Sequence, residues 1–454
     1  MQVPHAGQAD KMRGHFFRQA PAAFSSLALF YTYTVKLNMA SLKRSPPFRA
    51  EHVGSLLRPQ ELVQKRYDVA SGKAQPDELV PLEDKSVAEV VKFQQDCGLK
   101  VVSSGEYTRH MFWGTFFETL HGMKELQLGV LKGYNKDMFR AYAPDVKSFM
   151  EAKEVPNHVT VCVDKIRHPG KSSNQREVDL MKSLLPESEW KNIKITLISP
   201  SWYHFRYMNG SAYPKEVYAN DEEYFDDVAK AYQEELKILH SQGIRNIQID
   251  DPNLAYFCSD DMLAGWKADK TNSKTADEMF DSYVKFYNKC FERPADMHLG
   301  IHLCRGNYVG SRHFSEGAYD LIAKKLFQVL KYPQSMAWDL DVDTYYLEYD
   351  TPRAGGFEPL EHLPKGKNVV LGVITSKFPK LEDKDEMIAR VNQAADWIAK
   401  GTGQSREDAL KQCCVSPQCG FASHAEGNAL GYEDMRKKLQ LVRSIADAVW
   451  PGEP

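Results

Sequence analysis

The chain has 454 residues, enough for two or three average domains or for one enlarged α/β barrel. Hydrophobic residues make up 43% and charged residues 26%, ordinary values for a globular protein with a sizeable core. The net charge of −3 leaves no global field for nucleic acid or an acidic membrane, and no apolar run is long enough to cross a bilayer.

The first fifty residues carry Lys11, Arg13, Arg18, Lys36, Lys43, Arg44 and Arg49 against one acid, Asp10. Such a basic start reads as a mitochondrial-type transit peptide, or as an upstream extension with Met39 as the working start of a cytoplasmic protein. Residues 1–45 are therefore set aside as a basic extension, and residues 46–454 are read as one domain. Eight scattered cysteines are too sparse for a disulfide framework and fit a reducing compartment.

From Phe48 onward, short β-rich runs alternate with helical patterns. Strands are expected at Arg49–Gly54, Lys100–Ser104, Ile193–Ser199, Asn246–Asp250, His298–Leu303, Thr344–Glu348, Asn368–Ile374 and Gln412–Val415. Most read as apolar on both faces, as in a helix-covered parallel sheet. Amphipathic helices are expected at Val80–Asp96, Asp221–Ser241, Ala276–Glu292, Ala318–Leu330, Asp383–Ala399 and Glu433–Val449. Asp383 and Glu433 sit where an acid complements a helix N-terminus. The segment Arg109–Lys191 is too long for one crossover and contains a further strand pattern, Val159–Val163, so it reads as an insertion. Eight strands alternating with helices match a single (β/α)8 TIM barrel; an open doubly wound sheet has the same alternation.

In a barrel the site lies at the C-terminal strand ends. The residues there are Glu106, Asp250, Asp251, His302, Cys304 and Glu348, with Cys419 just past the last strand. His302 and Cys304 are i and i+2 on a strand, so both face one side while Leu303 faces the other. Cys419 lies in the turn-like Ser416-Pro417-Gln418-Cys419-Gly420. With Glu348 these form a soft, anionic N/O/S donor set suited to Zn2+. A His-x-Cys pair also occurs as plain packing, and Glu348 also reads as an ion-pair partner of Arg353.

Glu51-His52-Val53-Gly54-Ser55, Ser104-Gly105-Glu106, Ile247-Gln248-Ile249-Asp250-Asp251-Pro252, His302-Leu303-Cys304, Leu347-Glu348 and Ser416-Pro417-Gln418-Cys419-Gly420 occur in that order. Together, over residues 48–450, they resemble the catalytic domain of cobalamin-independent methionine synthase. The resemblance implies a barrel whose zinc is held by His302, Cys304, Glu348 and Cys419. It also implies that homocysteine is gripped by Val53, Gly54 and Ser55, by Glu106 and by Asp250, and that Trp202 packs against a folate donor; a core aromatic is the other reading of Trp202. The implied reaction moves a methyl group from a methylated folate to the homocysteine thiol, giving methionine. The partners are then a small-molecule thiol and a methyl or alkyl donor, with no nucleic acid and no membrane; the oligomeric state is left open.

The sequence departs from the family in three ways. The full-length enzymes carry a second, N-terminal barrel-like half, so this chain corresponds to the catalytic module. Ile374-Thr375-Ser376-Lys377 stands where the family places a histidine proton donor; Thr375 cannot do that acid's work at neutral pH, which leaves Lys377 or another group as the candidate donor. Asp-Asp-Pro replaces Asp-Glu-Pro, and Phe421-Ala422-Ser423 replaces a basic segment. Arg109, Arg305 and Arg353 are candidates for a carboxylate or polyglutamate tail, with ion pairs as the alternative. Two other functions fit the same residues: a zinc alkyltransferase that joins an epoxide or methylcobalamin-borne alkyl group to a small thiol, and a non-catalytic metal- or folate-binding protein.

Overall fold

Along the consecutive strands Asn246–Asp250, His298–Leu303 and Thr344–Glu348, aliphatic or aromatic residues alternate with mostly polar ones. The computed structural model describes residues 46–127, 136–153, 158–327 and 340–454. The basic extension at residues 1–45 lies outside them. β1 (His121–Gln127) and β2 (His158–Arg167) pair as an antiparallel hairpin. β3 (Lys194–Ile198), β4 (Asn246–Asp250), β5 (His298–Leu303), β6 (Thr344–Glu348), β7 (Asn368–Ile374) and β8 (Cys413–Pro417) form one parallel sheet in chain order.

The connecting helices explain that order. Asp221–Ser241, Ala276–Cys290, Asp320–Phe327 and Lys384–Thr402 each lie between successive strands, and Tyr432–Val449 follows β8. Their starts are chemically marked: Asn220, Thr275 and Asp383 each accept a hydrogen bond from a first-turn backbone N–H. The expected helix end at Leu330 lies outside the described residues.

The sheet's two faces differ more than the sequence reading expected. Ile195, Leu197, Ile247, Ile249, Leu299, Ile301, Leu347 and Leu371 belong to the large helix-covered core. The opposite face carries Lys194, Thr196, Asn246, Gln248, His298, Thr344 and Tyr346, all buried. The strands are thus buried on both sides, with the inner face largely polar apart from a small cluster of Tyr346, Val370 and Cys414. Partners offset the desolvation of the polar face. His298 Nε2 lies 2.8 Å from Thr344 Oγ1, and Gln248 Nε2 donates to Val53 O at 2.5 Å. Gly300 is required here, since a Cβ would fall 2.6 Å from the Tyr346 ring.

The two remaining expected strands are not regular ladders. Arg49–Gly54 contributes a single parallel bridge, Ala50 to Val415, and Lys100–Ser104 another, Val102 to Ile193. The ladder therefore holds six strands rather than eight. The two flanking segments still meet: Leu56 N donates to Gly105 O at 3.1 Å, and Ser103 Oγ to Gly54 O at 2.7 Å. Within the expected insertion, Val159–Val163 falls inside β2.

Lys194 and Glu51, both fully buried, tie the Arg49–Gly54 segment to β3 through an ion pair at 2.6 Å, and the ammonium also donates to His52 O. Removing one partner strands the other charge, so Lys194→Met is expected to cost about 3–5 kcal/mol. Urea unfolding would show a lower midpoint at unchanged slope; a shift worth under about 1 kcal/mol would show that the pair does not hold this segment.

Candidate metal centre

Parallel register brings the strand ends to one level. Asp250 pairs with His302, His302 with Tyr346, and Glu348 with Gly372, which in turn pairs with Ser416. His302 closes β5 on the polar face, Glu348 closes β6, and β8 runs through Pro417 into Cys419. One ligand atom each from His302, Cys304, Glu348 and Cys419 lies within 4.8 Å of the other three.

The contacts within the cluster suit a shared ion. The Cys304 and Cys419 sulfurs are 3.5 Å apart, and Cys304 Sγ is 3.7 Å from Glu348 Oε1. Two sulfurs at ~2.3 Å from a tetrahedral zinc would sit about 3.8 Å apart. His302 Nδ1 lies 3.3 Å from Tyr346 O, which orients the ring, and its Nε2 has no hydrogen-bond partner among the described residues. Glu348 Oε2 accepts from Arg305 N at 3.2 Å and has Arg353 at 3.7 Å. The donor set, the burial and the orphaned ring nitrogen all fit zinc.

The charges are arranged around that fit. The hydrogen bond to Cys419, then burial, push the Cys304 thiol well up. The same bond, aided by His302 against the effect of burial, holds Cys419 well below the usual thiol range. Burial opposes the charge on His302, but Cys419, Asp250 and Glu348 outweigh it and lift the imidazole to about 9. Burial raises Glu348, with Arg353 acting against it. Cys304 and His302 therefore carry protons that a divalent cation has to displace.

Three of these four residues, with Val53, Ser55, Glu106 and Asp250, line one cavity of about 410 Å3. Gly54 holds the turn open at φ +119°, where a Cβ would meet Thr196 Cγ2 at 2.7 Å. Glu106 adopts φ +63°. Its Oε1 accepts from Thr196 and pairs with Arg109 at 2.8 Å, while its Oε2, buried, has no partner. Burial, then Glu106, raise the Asp250 carboxyl to about 7. Asp251 is a different kind of residue: it caps the short helix Pro252–Tyr256 through Leu254 N.

Trp202 lines the same cavity but is only 5% exposed. The Arg206 guanidinium lies 3.4 Å from its ring centre and Trp113 stacks on it at 5.3 Å. The more accessible ring is Trp113, which the sequence reading missed because loop aromatics carry no periodic signal. Thr375 and Lys377 do not line the cavity. Thr375 N donates to Glu382, and Lys377 donates to Gly306 O, Asn307 Oδ1 and Arg312 O at 3.1–3.2 Å. Arg305 and Arg353 are held by ion pairs to Glu348 and, for Arg353, to Asp350.

No family model matches the chain. Two Bacillus subtilis proteins, YxjG and YxjH, are 32% and 31% identical over 92% and 90% of this chain and 99% and 96% of their own lengths. A vitamin-B12-independent methionine synthase assigned in Listeria monocytogenes has a similar structure, with TM-score 0.60 and 24% identity over 89% of this chain and 98% of that one. A B12-independent methionine synthase from Shewanella, solved with selenomethionine, superposes with TM-score 0.58 at 19% identity, covering 88% and 97% of the two chains. The 5-methyltetrahydropteroyltriglutamate–homocysteine methyltransferase of Bacillus mycoides is 22% identical over 87% of this chain. The chain belongs to one family with YxjG and YxjH, and it is similar in sequence and fold to the cobalamin-independent methionine synthases. It spans 42% of the length of the Bacillus mycoides enzyme.

Cys419→Ala and Glu348→Gln are each expected to reduce bound zinc from about one ion per chain to a small fraction after dialysis, measured by elemental analysis. Affinity should fall as pH drops from 8 to 6, because protons on Cys304 and His302 compete with the metal. Full zinc content in both variants would remove these residues from the ligand set.

Proposed function

We propose that this chain is a zinc-dependent methyltransferase acting on the thiol of homocysteine. The observation that carries the reading is the buried His302–Cys304–Glu348–Cys419 cluster opening on the same cavity as an unpartnered carboxylate oxygen of Glu106 and the protonatable Asp250. When bound, zinc favours the thiolate form of a thiol at neutral pH, where a free thiol of pKa near ~8.5 is mostly protonated.

The protein residues supply the rest. Glu106 and Asp250 form a carboxylate pair that an α-ammonium would neutralise, and the Val53–Ser55 turn offers backbone N–H groups and a hydroxyl to a carboxylate. Gripping both ends of the amino acid fixes its sulfur at the cluster, so displacement at a methyl carbon becomes effectively intramolecular. Site residues come from Val53 through Cys419, so residues 46–454 act as one catalytic module. We read the six-stranded sheet, with the Ala50 and Val102 bridges continuing it at either edge, as a closed (β/α)8 barrel with its site at the C-terminal strand ends.

The resemblance carries a methylated folate as donor. A second reading, another alkyl donor on the same thiol, is favoured by one observation: the residues at the end of β7 offer no acid to the cavity.

Purified zinc-loaded protein given homocysteine and a methyl donor is expected to consume thiol and yield methionine by mass. Asp250→Asn should weaken homocysteine binding about tenfold to a hundredfold with zinc retained. Unchanged homocysteine affinity in that variant would sink the assigned role of Asp250.

A further inference from the structure

Beyond the strand ends, the cavity wall is aromatic. Phe112 and Trp113 stand on one stretch, 5.2 Å apart. Phe149 packs edge-on against Tyr308 at 5.0 Å and against Phe314 at 5.4 Å. All five rings line the cavity and keep partial exposure. Their π faces are electron-rich and attract cations.

Acids outnumber the guanidiniums in the same cavity. Among the described residues its lining holds five carboxylates, Glu106, Glu118, Glu125, Asp145 and Asp250, against two guanidiniums, Arg109 and Arg206. Both guanidiniums are already committed. Arg109 pairs with Glu106, and Arg206 pairs with Asp145 while donating to Trp202 O and Asn253 Oδ1 at 2.7 and 2.9 Å. No lysine is among the described lining residues. A relative named for a triglutamate donor has to accept several carboxylates. This cavity would repel them.

We propose that the methyl donor is an onium compound, a sulfonium or quaternary ammonium, held in the Trp113–Phe149–Phe314 aromatic wall beside Tyr308, whose ring already faces the Arg312 guanidinium at 5.1 Å. The proposal rests on the thiol-methyltransferase reading and names the donor class for it. In the transfer, a lone pair of the homocysteine thiolate forms the new S–CH3 bond. The bond from that carbon to the positively charged sulfur or nitrogen breaks, and its electron pair stays on the leaving atom. The leaving group departs as a neutral thioether or tertiary amine, so the step needs no proton. Departure of an uncharged tertiary amine's nitrogen would require an acid at that nitrogen, and the end of β7 supplies none, since Thr375 and Lys377 do not line the cavity.

The test uses the full zinc-loaded chain and two readouts. In the first, choline and its neutral isostere 3,3-dimethylbutan-1-ol are titrated by calorimetry and tryptophan fluorescence. Choline is expected to bind about tenfold tighter, with the preference lost in Trp113→Ala and kept in Trp113→Phe, which retains a π face. In the second, homocysteine is offered S-methylmethionine, trimethylglycine, 5-methyltetrahydrofolate, its triglutamate, methylcobalamin or iodomethane, and products are identified by mass. Turnover with an onium donor supports the assignment. Equal binding of choline and its isostere, or turnover with a folate or methylcobalamin while both onium compounds are inert, overturns it and leaves thiol methylation standing. If even iodomethane methylates homocysteine no faster with the intact protein than with Cys419→Ala, the thiol-activation reading fails and the donor assignment falls with it.

Discussion

Two-residue alternation along parallel strands in register decides which side chains can meet in this protein. Asp250 and His302 share one level at the ends of neighbouring strands, Glu348 lies two residues further along the next, and each belongs to the polar series of its own strand. One residue of slip in any strand would turn its series into the helix-covered core and remove a donor from the cluster. Aliphatic residues at the alternate positions make that slip costly, because each would have to leave the core. The same packing that stabilises the fold therefore fixes the geometry of the site.

Concentrating so many acids in a dry place has an electrostatic cost, and the surroundings meet only part of it. Arg109 answers Glu106, while Arg305 and Arg353 answer Glu348. What remains is a cysteine pair with opposite proton affinities, an imidazole held cationic by its neighbours and an aspartic acid raised to about 7. A divalent cation at the four donors and an ammonium at Glu106 and Asp250 resolve both tensions. On the proposed reading, metal and amino acid would fill adjacent sites of the same sign, which would place a substrate sulfur beside the ion.

The legible parts of the sequence were those governed by local periodicity. Asn246–Asp250, His298–Leu303, Thr344–Glu348 and Asn368–Ile374 have the expected bounds, as does the helix Asp221–Ser241. His302-x-Cys304 could be read as a shared-face pair because i and i+2 geometry is local. Glu348 and Cys419 joined it because both fall at expected C-terminal strand ends, and the ordered motifs then implied them as ligands. Three things were not legible. The segments around Ala50 and Val102 look like strands but make single bridges. The inner polar face was missed because buried, paired groups such as Lys194–Glu51 do not look like core. The aromatic wall was missed because Trp113, Phe149 and Tyr308 sit in different loops and helices whose meeting is purely tertiary.

The central claim is that His302, Cys304, Glu348 and Cys419 hold one zinc ion to which a substrate sulfur is added. X-ray absorption at the zinc edge tests it directly. The account predicts a first shell with two sulfurs near ~2.3 Å and lighter atoms near ~2.0–2.2 Å, gaining a third sulfur when homocysteine is added. A shell of oxygen and nitrogen only, or one unchanged by homocysteine, would contradict it.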